Sequence, residues 1–404
     1  MRIALAANGP GEVAGWLRPL MRSLYERAPD TEAHVFLVPD DYATGFEAQT
    51  VRSFFPQAHV YDPKTYVKFA IGRRVEGVPD SVDLVQYAGG DLLHAARLHA
   101  RLKGRAATYK FSRRAYRRVF DRAFAVDAAN EARLRDWGTP PERIVRVGNL
   151  AVDGALLEAR AAPEPGTPDD GILVMPGSRP YEVDNLFPFY FTALLRLLRE
   201  RPGLRVAFGL SPFTPIAQVR AAIERGGDPR VFAQRGRLLV DGDRTFVQSL
   251  DGSVRIPVLF NALAAAKRAR LVLTIPGTKT IELASLGKPT ITITPLNAPE
   301  LVTFNGPLTY LHRIPLVGTP LKRTVAVGVS RRFPFHTQPN MDAGAMLVRE
   351  VHGTVTPGRI ARIALESYAD AGWLAETGER LAALYREHVG AADRMAESLL
   401  TLAG

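Results

Sequence analysis

The 404-residue chain contains no cysteine, which removes disulfides, thiolate metal sites and cysteine nucleophiles from consideration. No apolar run approaches the roughly 20 residues that a membrane-spanning helix needs. The start, Met1-Arg2-Ile3-Ala4-Leu5-Ala6-Ala7, leads straight into Asn8-Gly9-Pro10-Gly11. It reads as a first strand and its turn, not as a secretory signal, and a cytoplasmic protein is expected. Two nucleotide signatures are missing as well. The first turn lacks the Gly-x-Gly-x-x-Gly spacing of a dinucleotide fold, and neither Gly177-Ser178-Arg179 nor Gly277-Thr278-Lys279 has the upstream glycine of a P-loop. Acidic residues are the scarcer charge, 41 Asp and Glu against 52 Lys and Arg, a net +11. That sign points to a polyanionic partner: a phosphorylated substrate, an anionic membrane surface or nucleic acid. Part of the arginine richness is simply composition.

The length exceeds what one core usually serves, so two domains are expected. Short apolar runs alternate with helical patterns through residue 157. Arg2–Ala7, His34–Val38, Val82–Ala88, Ala106–Phe111, Ala123–Val126 and Ile144–Val147 read as strands, with helices at Gly15–Ala28 and Leu92–Leu102. This is the alternation of an open, mostly parallel α/β sheet. Residues 158–170 carry three prolines and no apolar period, and read as a linker. A second α/β domain is expected over 171–356, with strands at Ile172–Met175, Leu204–Leu210, Leu238–Val240, Leu271–Ile275 and Thr290–Thr294, and helices at Leu186–Glu200, Ile216–Arg225 and Pro257–Arg268. Residues 357–404 form C-terminal helices, broken at Gly372 and Gly378, that are expected to return to the first domain.

Two turns stand out. Pro176-Gly177-Ser178-Arg179 and Pro276-Gly277-Thr278-Lys279 each end a buried strand and open a helix with an early acid, Glu182 and Glu282. Glycine-freed N–H groups with a nearby cation suit a diphosphate. Two such domains facing a central cleft make the GT-B arrangement.

The chain resembles the lipid-A-disaccharide synthase family, and more closely its synthase-related members. The resemblance rests on Gly11-Glu12-Val13-Ala14-Gly15, Tyr87-Ala88-Gly89-Gly90-Asp91, Val147-Gly148-Asn149-Leu150, Met175-Pro176-Gly177-Ser178-Arg179-Pro180-Tyr181-Glu182 and Gly277-Thr278-Lys279-Thr280-Ile281-Glu282. The chain departs from that family at Trp16, where an aspartate is usual, and at Asn149-Leu150, where a proline is. Gly318–Arg349 reads as an insertion. The resemblance implies a glycosyltransferase whose first domain binds the acceptor and whose second binds a nucleotide sugar.

On that reading Gly177, Ser178, Arg179, Gly277, Thr278 and Lys279 hold the donor diphosphate, and Glu282 accepts the ribose hydroxyls. Asn297 and Glu300 follow a strand end and are candidates for the base or sugar. An inverting transfer needs a base beside the attacking hydroxyl. The family pattern puts its acid at Asp91, with His94 one turn on as the runner-up and Glu12 as a carboxylate that holds or activates the acceptor. Asn8, Gly11, Trp16 and Gly90 complete the acceptor side. No cofactor is expected. No metal site is expected either, since Asp83, Asp91, His94 and His99 lack ligand spacing and His312, His336 and His352 follow no pattern.

Residues 97–122 carry ten Lys and Arg against Asp121, with aromatics interleaved. Arg113, Arg114, Arg117 and Arg118 are expected to face an anionic membrane, placing the protein peripherally on its inner face. Nucleic acid is not expected, and a homodimer is left open. The expected function is inverting transfer from a nucleoside-diphosphate sugar, of the UDP-sugar class, to a lipid-linked or amphipathic acceptor. The alternatives are a nucleotide-sugar 2-epimerase or hydrolase, and a non-catalytic nucleotide- or lipid-binding relative.

Overall fold

Short, nearly continuous apolar runs form the central parallel strands of two sheets, and these are buried on both faces, as a parallel sheet between helix layers requires. The computed structural model describes residues 1–39, 45–212, 214–295, 297 and 334–404. The chain divides into one unit of Met1–Leu157 with Arg386–Gly404, and a second of Glu158–Tyr385.

In the first unit, β1 (Arg2–Ala7), β2 (Glu32–Leu37), β3 (His59–Tyr61), β4 (Leu84–Tyr87), β5 (Arg105–Tyr109), β6 (Arg122–Ala125) and β7 (Ile144–Arg146) lie in the order β3-β2-β1-β4-β5-β6-β7. Every pair is parallel. The chain order reverses between β1 and β4, where Ala6 pairs with Tyr87. β3 and the helices Glu47–Phe54 and Pro63–Ala70 were not expected from the sequence. The last of these begins with Pro63 behind an Asp62 cap whose carboxylate accepts from the Thr65 amide at 2.7 Å.

In the second unit, β8 (Ile172–Val174), β9 (Val206–Gly209), β10 (Gly236–Asp241), β11 (Arg244–Ser249), β12 (Arg255–Leu259), β13 (Leu271–Thr274), β14 (Thr290–Pro295) and β15 (Arg349–Gly353) take the order β10-β11-β12-β9-β8-β13-β14-β15. β10, β11 and β12 are antiparallel, and the remaining pairs are parallel. Here the order reverses between β8 and β13. The expected helix from Pro257 is a correction: residues to Leu259 belong to β12, and the helix runs Ala262–Arg268. The helix Phe187–Glu200 drives Phe187, Phe189, Tyr190 and Phe191 into one core with Phe208, Ile291 and Ile293. Each such fully buried side chain contributes about 2–3 kcal/mol.

The C-terminal region breaks elsewhere than expected. Gly372 and Gly378 both lie inside the helix Ala371–Tyr385. A Cβ on Gly378 would stand 2.9 Å from the Gly287 carbonyl oxygen, so this glycine permits close packing and ends nothing. The helices Pro357–Ala369 and Ala371–Tyr385 belong to the second unit, and only Ala391–Ala403, entered through Gly390 at φ 80°, belongs to the first. Its start is held by Asp153, whose carboxylate accepts from the Gly390 amide at 2.8 Å and the Ala392 amide at 2.7 Å.

The helices that follow β1 and β8 each contain one π-helical turn, Val13–Leu17 and Glu182–Leu186. Such turns widen a helix locally and gather at functional sites. At the first, the helix Leu150–Glu158 presses in so closely that a Cβ on Gly154 would stand 3.0 Å from Gly15.

Candidate functional site

In open α/β sheets, ligands bind beyond the carboxyl ends of the strands where the order reverses. Each unit has one such point, and the sequence-expected residues fall on both.

In the first unit the ends of β1 and β4 bring Asn8, Glu12, Gly89 and Gly90 together. A Cβ on Gly89 would lie 2.5 Å from Asn8 Oδ1 and 3.0 Å from the Glu12 side chain, and one on Gly90 would lie 3.8 Å from the His94 ring. With φ at 150° and 84°, both positions favour glycine. Asn8 Oδ1 is buried without a hydrogen-bond partner, an orphan acceptor aimed at this cluster. Gly11 has open space where its Cβ would point. Asp91 caps the helix Leu92–Leu102, its Oδ1 accepting from the Leu93 amide at 2.8 Å, while Oδ2 stands 3.6 Å from the Arg113 guanidinium. His94 is half-buried, and its Nδ1 lies 2.8 Å from the Tyr66 hydroxyl. Burial pulls the His94 imidazole below its ordinary value, and Asp91 partly offsets this. Burial also pushes the Tyr66 hydroxyl up to about 12, so it keeps its proton at neutral pH. Trp16 lies within the π-helical turn, edge-on to Tyr109 with centroids 5.2 Å apart and with the Lys110 ammonium 5.9 Å from its ring.

Two residues at this site were missed from the sequence. Tyr66 sits on the unexpected helix Pro63–Ala70. Tyr87, at the end of β4, donates from its hydroxyl to the Gly90 carbonyl at 2.7 Å and so fixes the glycine pair.

In the second unit the two glycine turns are neighbours, because β8 pairs with β13 and the Thr274 hydroxyl donates to the Met175 carbonyl at 2.9 Å. Gly177 has φ 106°, and a Cβ there would strike the Glu182 carboxylate. Glu182 Oε2 accepts from the Ser178 and Arg179 amides at 2.8 and 2.9 Å. These are the two N–H groups expected to hold a diphosphate. A carboxylate already occupies that anion position, and Arg179 Nε stands 4.0 Å from its other oxygen. Burial raises Glu182, and the Arg179 amide and charge oppose that. The second turn is open: Gly277 and Thr278 are exposed, with nothing within contact distance where a Gly277 Cβ would sit.

Three donor-side expectations need correction. The Glu282 carboxylate is only 5% exposed and meets the Lys279 ammonium at 2.5 Å, so a ribose reaches it only if Lys279 moves aside. The Lys279 side chain folds onto Glu282 and stays about one-third exposed. Burial draws its ammonium down, but Glu282 and Glu158 outweigh that and leave it above its ordinary value. The Asn297 amide is spent on the backbone, donating to Arg230 and Val355 carbonyls at 2.9 Å each and accepting from the Val355 amide at 3.0 Å. It braces two loops, and both hydrogens of its Nδ2 are spent there. Glu300 lies outside the described residues.

Arg113, Arg114, Arg117 and Arg118 are all exposed. Arg113 leans toward Asp91, and Arg114 reaches the Asp136 carbonyl at 3.5 Å. Among the described residues, no helix is long and apolar enough to cross a membrane.

No family model matches the chain. It is similar to the lipid-A-disaccharide synthase of Pseudomonas syringae pv. tomato, with 30% identity over 281 residues, 68% of this chain. That alignment spans 60% of the relative's own length. Solved structures share the fold along almost the whole chain. The UDP-GlcNAc 2-epimerase from Neisseria meningitidis, bound to UDP-GlcNAc, superposes with a TM-score of 0.56 at 13% identity, covering 99% of this chain and 100% of that one. The UDP-GlcNAc 2-epimerase from Methanocaldococcus jannaschii gives 0.52 at 14% identity, over 99% and 100% of the two chains. HepE from Anabaena, in complex with UDP-glucose, gives 0.51 at 12%, covering 99% of each. The fold is therefore the two-unit α/β fold of the GT-B type.

Proposed function

We propose that the chain is an inverting glycosyltransferase that takes a sugar from a nucleoside-diphosphate donor of the UDP-sugar class and passes it to a lipid-linked or amphipathic acceptor. The observation that carries this reading is the placement of polar, glycine-opened turns at the strand-order reversal of both units. The similarity to a lipid-A-disaccharide synthase supports the reaction class, and the UDP-GlcNAc and UDP-glucose bound in the solved structures of like fold support the donor class.

On this reading the second unit holds the donor. The open Gly277-Thr278 turn offers N–H groups and a hydroxyl to the diphosphate, with the positive end of the helix Thr278–Ser285 behind them. Arg179 supplies charge from the neighbouring turn. The departing diphosphate is stabilised by preorganised donors of this kind. The first unit holds the acceptor, with Asn8 and Glu12 as hydrogen-bonding partners and Gly89 and Gly90 leaving room. His94 is a better base than Asp91 on this geometry. Asp91 spends one oxygen on a helix cap, whereas burial keeps the His94 imidazole neutral and Tyr66 fixes its ring. His94 takes the proton of the attacking hydroxyl, and the Asp91 charge then stabilises the imidazolium. The hydroxyl oxygen forms the new glycosidic bond as the bond to the diphosphate breaks.

The same fold also serves 2-epimerases, which need no second substrate. Incubating the full chain with UDP-GlcNAc, with and without a bacterial lipid extract, separates the readings by mass spectrometry. Transfer predicts UDP release that depends on the extract, and a glycosylated lipid. Conversion to the 2-epimer, or UDP release that ignores the extract, overturns it in favour of epimerase or hydrolase. UDP binding without turnover overturns it in favour of a non-catalytic relative.

A further inference from the structure

We propose that His336, Glu350 and His352 form a binding site for one divalent transition-metal cation of the zinc class, with a coordination position left open. Glu350 and His352 are two apart on β15 and therefore share a face of the sheet. His336 precedes the helix Gln338–Ala343, and its ring lies 4.3 Å from that of His352, centroid to centroid. One ligand atom from each residue lies within 4.8 Å of the others. A four-coordinate ion with nitrogen and oxygen ligands at about 2.1 Å sets them about 3.4 Å apart. Small side-chain rotations supply the difference.

The carboxylate is already oriented. Glu350 Oε1 accepts from the Thr337 amide at 2.9 Å, the Thr337 hydroxyl at 2.7 Å and Asn340 Nδ2 at 2.7 Å. Among the described residues, Oε2 accepts the His336 amide alone, at 2.9 Å, and so keeps a lone pair. Groups around a metal site commonly hold its ligands in this way. The surroundings also lack something. His352 Nδ1 is buried with no hydrogen-bond partner. Thr292 and Thr294 pair in register with Glu350 and His352, and both hydroxyls are buried and unpartnered too. Thr292 is 1% exposed. Leaving several polar atoms buried and unsatisfied in one place is costly. A cation takes up the imidazole nitrogen, and its bound water reaches toward the hydroxyls. Two imidazoles and one carboxylate suit zinc, cobalt or nickel better than magnesium or calcium.

The other histidine cluster lacks this vacancy. His34 Nδ1 and Nε2 lie 2.9 Å from the Tyr61 hydroxyl and Glu32 Oε1, and Glu32 is bound to Arg2 at 2.8 Å. Glu32 and His34 thus spend their ligand atoms on each other and on Arg2 and Tyr61, which makes the exposed His59, stacked on His34, a control.

The test uses the tag-free full chain, stripped with chelator and titrated with Zn²⁺ by calorimetry and with Co²⁺ by visible absorption. Saturable binding of one ion per chain is expected, with the ligand-field bands of a low-coordinate cobalt site. His336→Ala and His352→Ala should abolish both signals, and His59→Ala should leave them unchanged. His352→Gln, which keeps the side-chain bulk, serves if His352→Ala fails to fold by circular dichroism. Absence of one-to-one binding by the wild type overturns the proposal. So does wild-type affinity in the folded His336 and His352 variants, or loss of binding in His59→Ala.

Discussion

Lys279 and Glu282 meet at 2.5 Å across one turn of the helix that opens at the second glycine turn. On the proposed reading, the pair would couple local stability to donor binding. Removing one partner leaves the other charge poorly compensated, and Lys279 is about one-third exposed, so the cost falls below that of a fully buried pair. We expect Glu282→Ala to lose about 1–3 kcal/mol. The double variant with Lys279→Met should recover part of the loss, a coupling that a double-mutant cycle of denaturant midpoints measures. Glu282→Ala should also weaken UDP binding by about tenfold, or about 1.4 kcal/mol. Unchanged UDP affinity in the folded variant would remove Glu282 from the donor site.

The second prediction concerns pH. Burial lowers His94 below its ordinary 6.5, so the neutral, proton-accepting form persists to lower pH than in a free histidine. The acid limb of kcat/KM should therefore fall below 6.5, and transfer should decline as pH drops through it. His94→Gln should lose about 10²–10⁴ in kcat. Asp91→Asn still caps the helix, so its loss should be smaller, with the acid limb displaced further down because the neighbouring negative charge is gone. A pH profile of Asp91→Asn that shows no displacement would separate Asp91 from the base. Stability follows the same sign: the His94 contribution is present above 6.5 and is lost as pH falls toward the lowered value.

A third outcome concerns the anchoring of the last helix. Asp153→Ala removes two hydrogen bonds to the amides of Gly390 and Ala392, and should cost about 1–2 kcal/mol. Limited proteolysis should then cut within 386–404 before it cuts elsewhere. Equal digestion of variant and wild type would show that this cap does not hold the helix.

The exposed arginines give the fourth. Changing Arg114, Arg117 and Arg118 to glutamine, and leaving Arg113 beside Asp91, should weaken cosedimentation with phosphatidylserine vesicles by about 1 kcal/mol per charge. The effect should shrink as salt rises. Wild-type protein that ignores such vesicles at low salt would make this face a solvated surface.

Much of this architecture was legible in the sequence where one signal dominates. Arg2–Ala7, Leu92–Leu102 and Ile216–Arg225 have the expected bounds, because a buried parallel strand and amphipathic helices leave unmistakable apolar periods. The antiparallel strands β10 to β12 alternate with polar residues, and Pro257 imitates a helix start within β12. Their pairing depends on partners that no local window contains. Gly378 was misread for a similar reason, since its role is set by Gly287 across the unit. The glycine turns were visible as sequence, but the side chains that occupy them were not. Glu182 filling its own turn, Lys279 folding onto Glu282 and Tyr66 bracing His94 are all decided by three-dimensional proximity. The two histidines beside Glu350 stand 16 positions apart, and only the strand–helix return brings them together.

The return of residues 386–404 to the first unit makes the second unit an insertion within it. A ribosome delivering this chain releases the whole of the second sheet before the first unit owns its closing helix. Until Ala391–Ala403 emerges, the apolar surfaces of Met395, Ala396 and Leu399 have not reached their seats, and Asp153 waits for Gly390 and Ala392. The unit begun first is thus finished last. A chain truncated after Tyr385 should carry a protease-resistant second unit beside a first unit that is still labile.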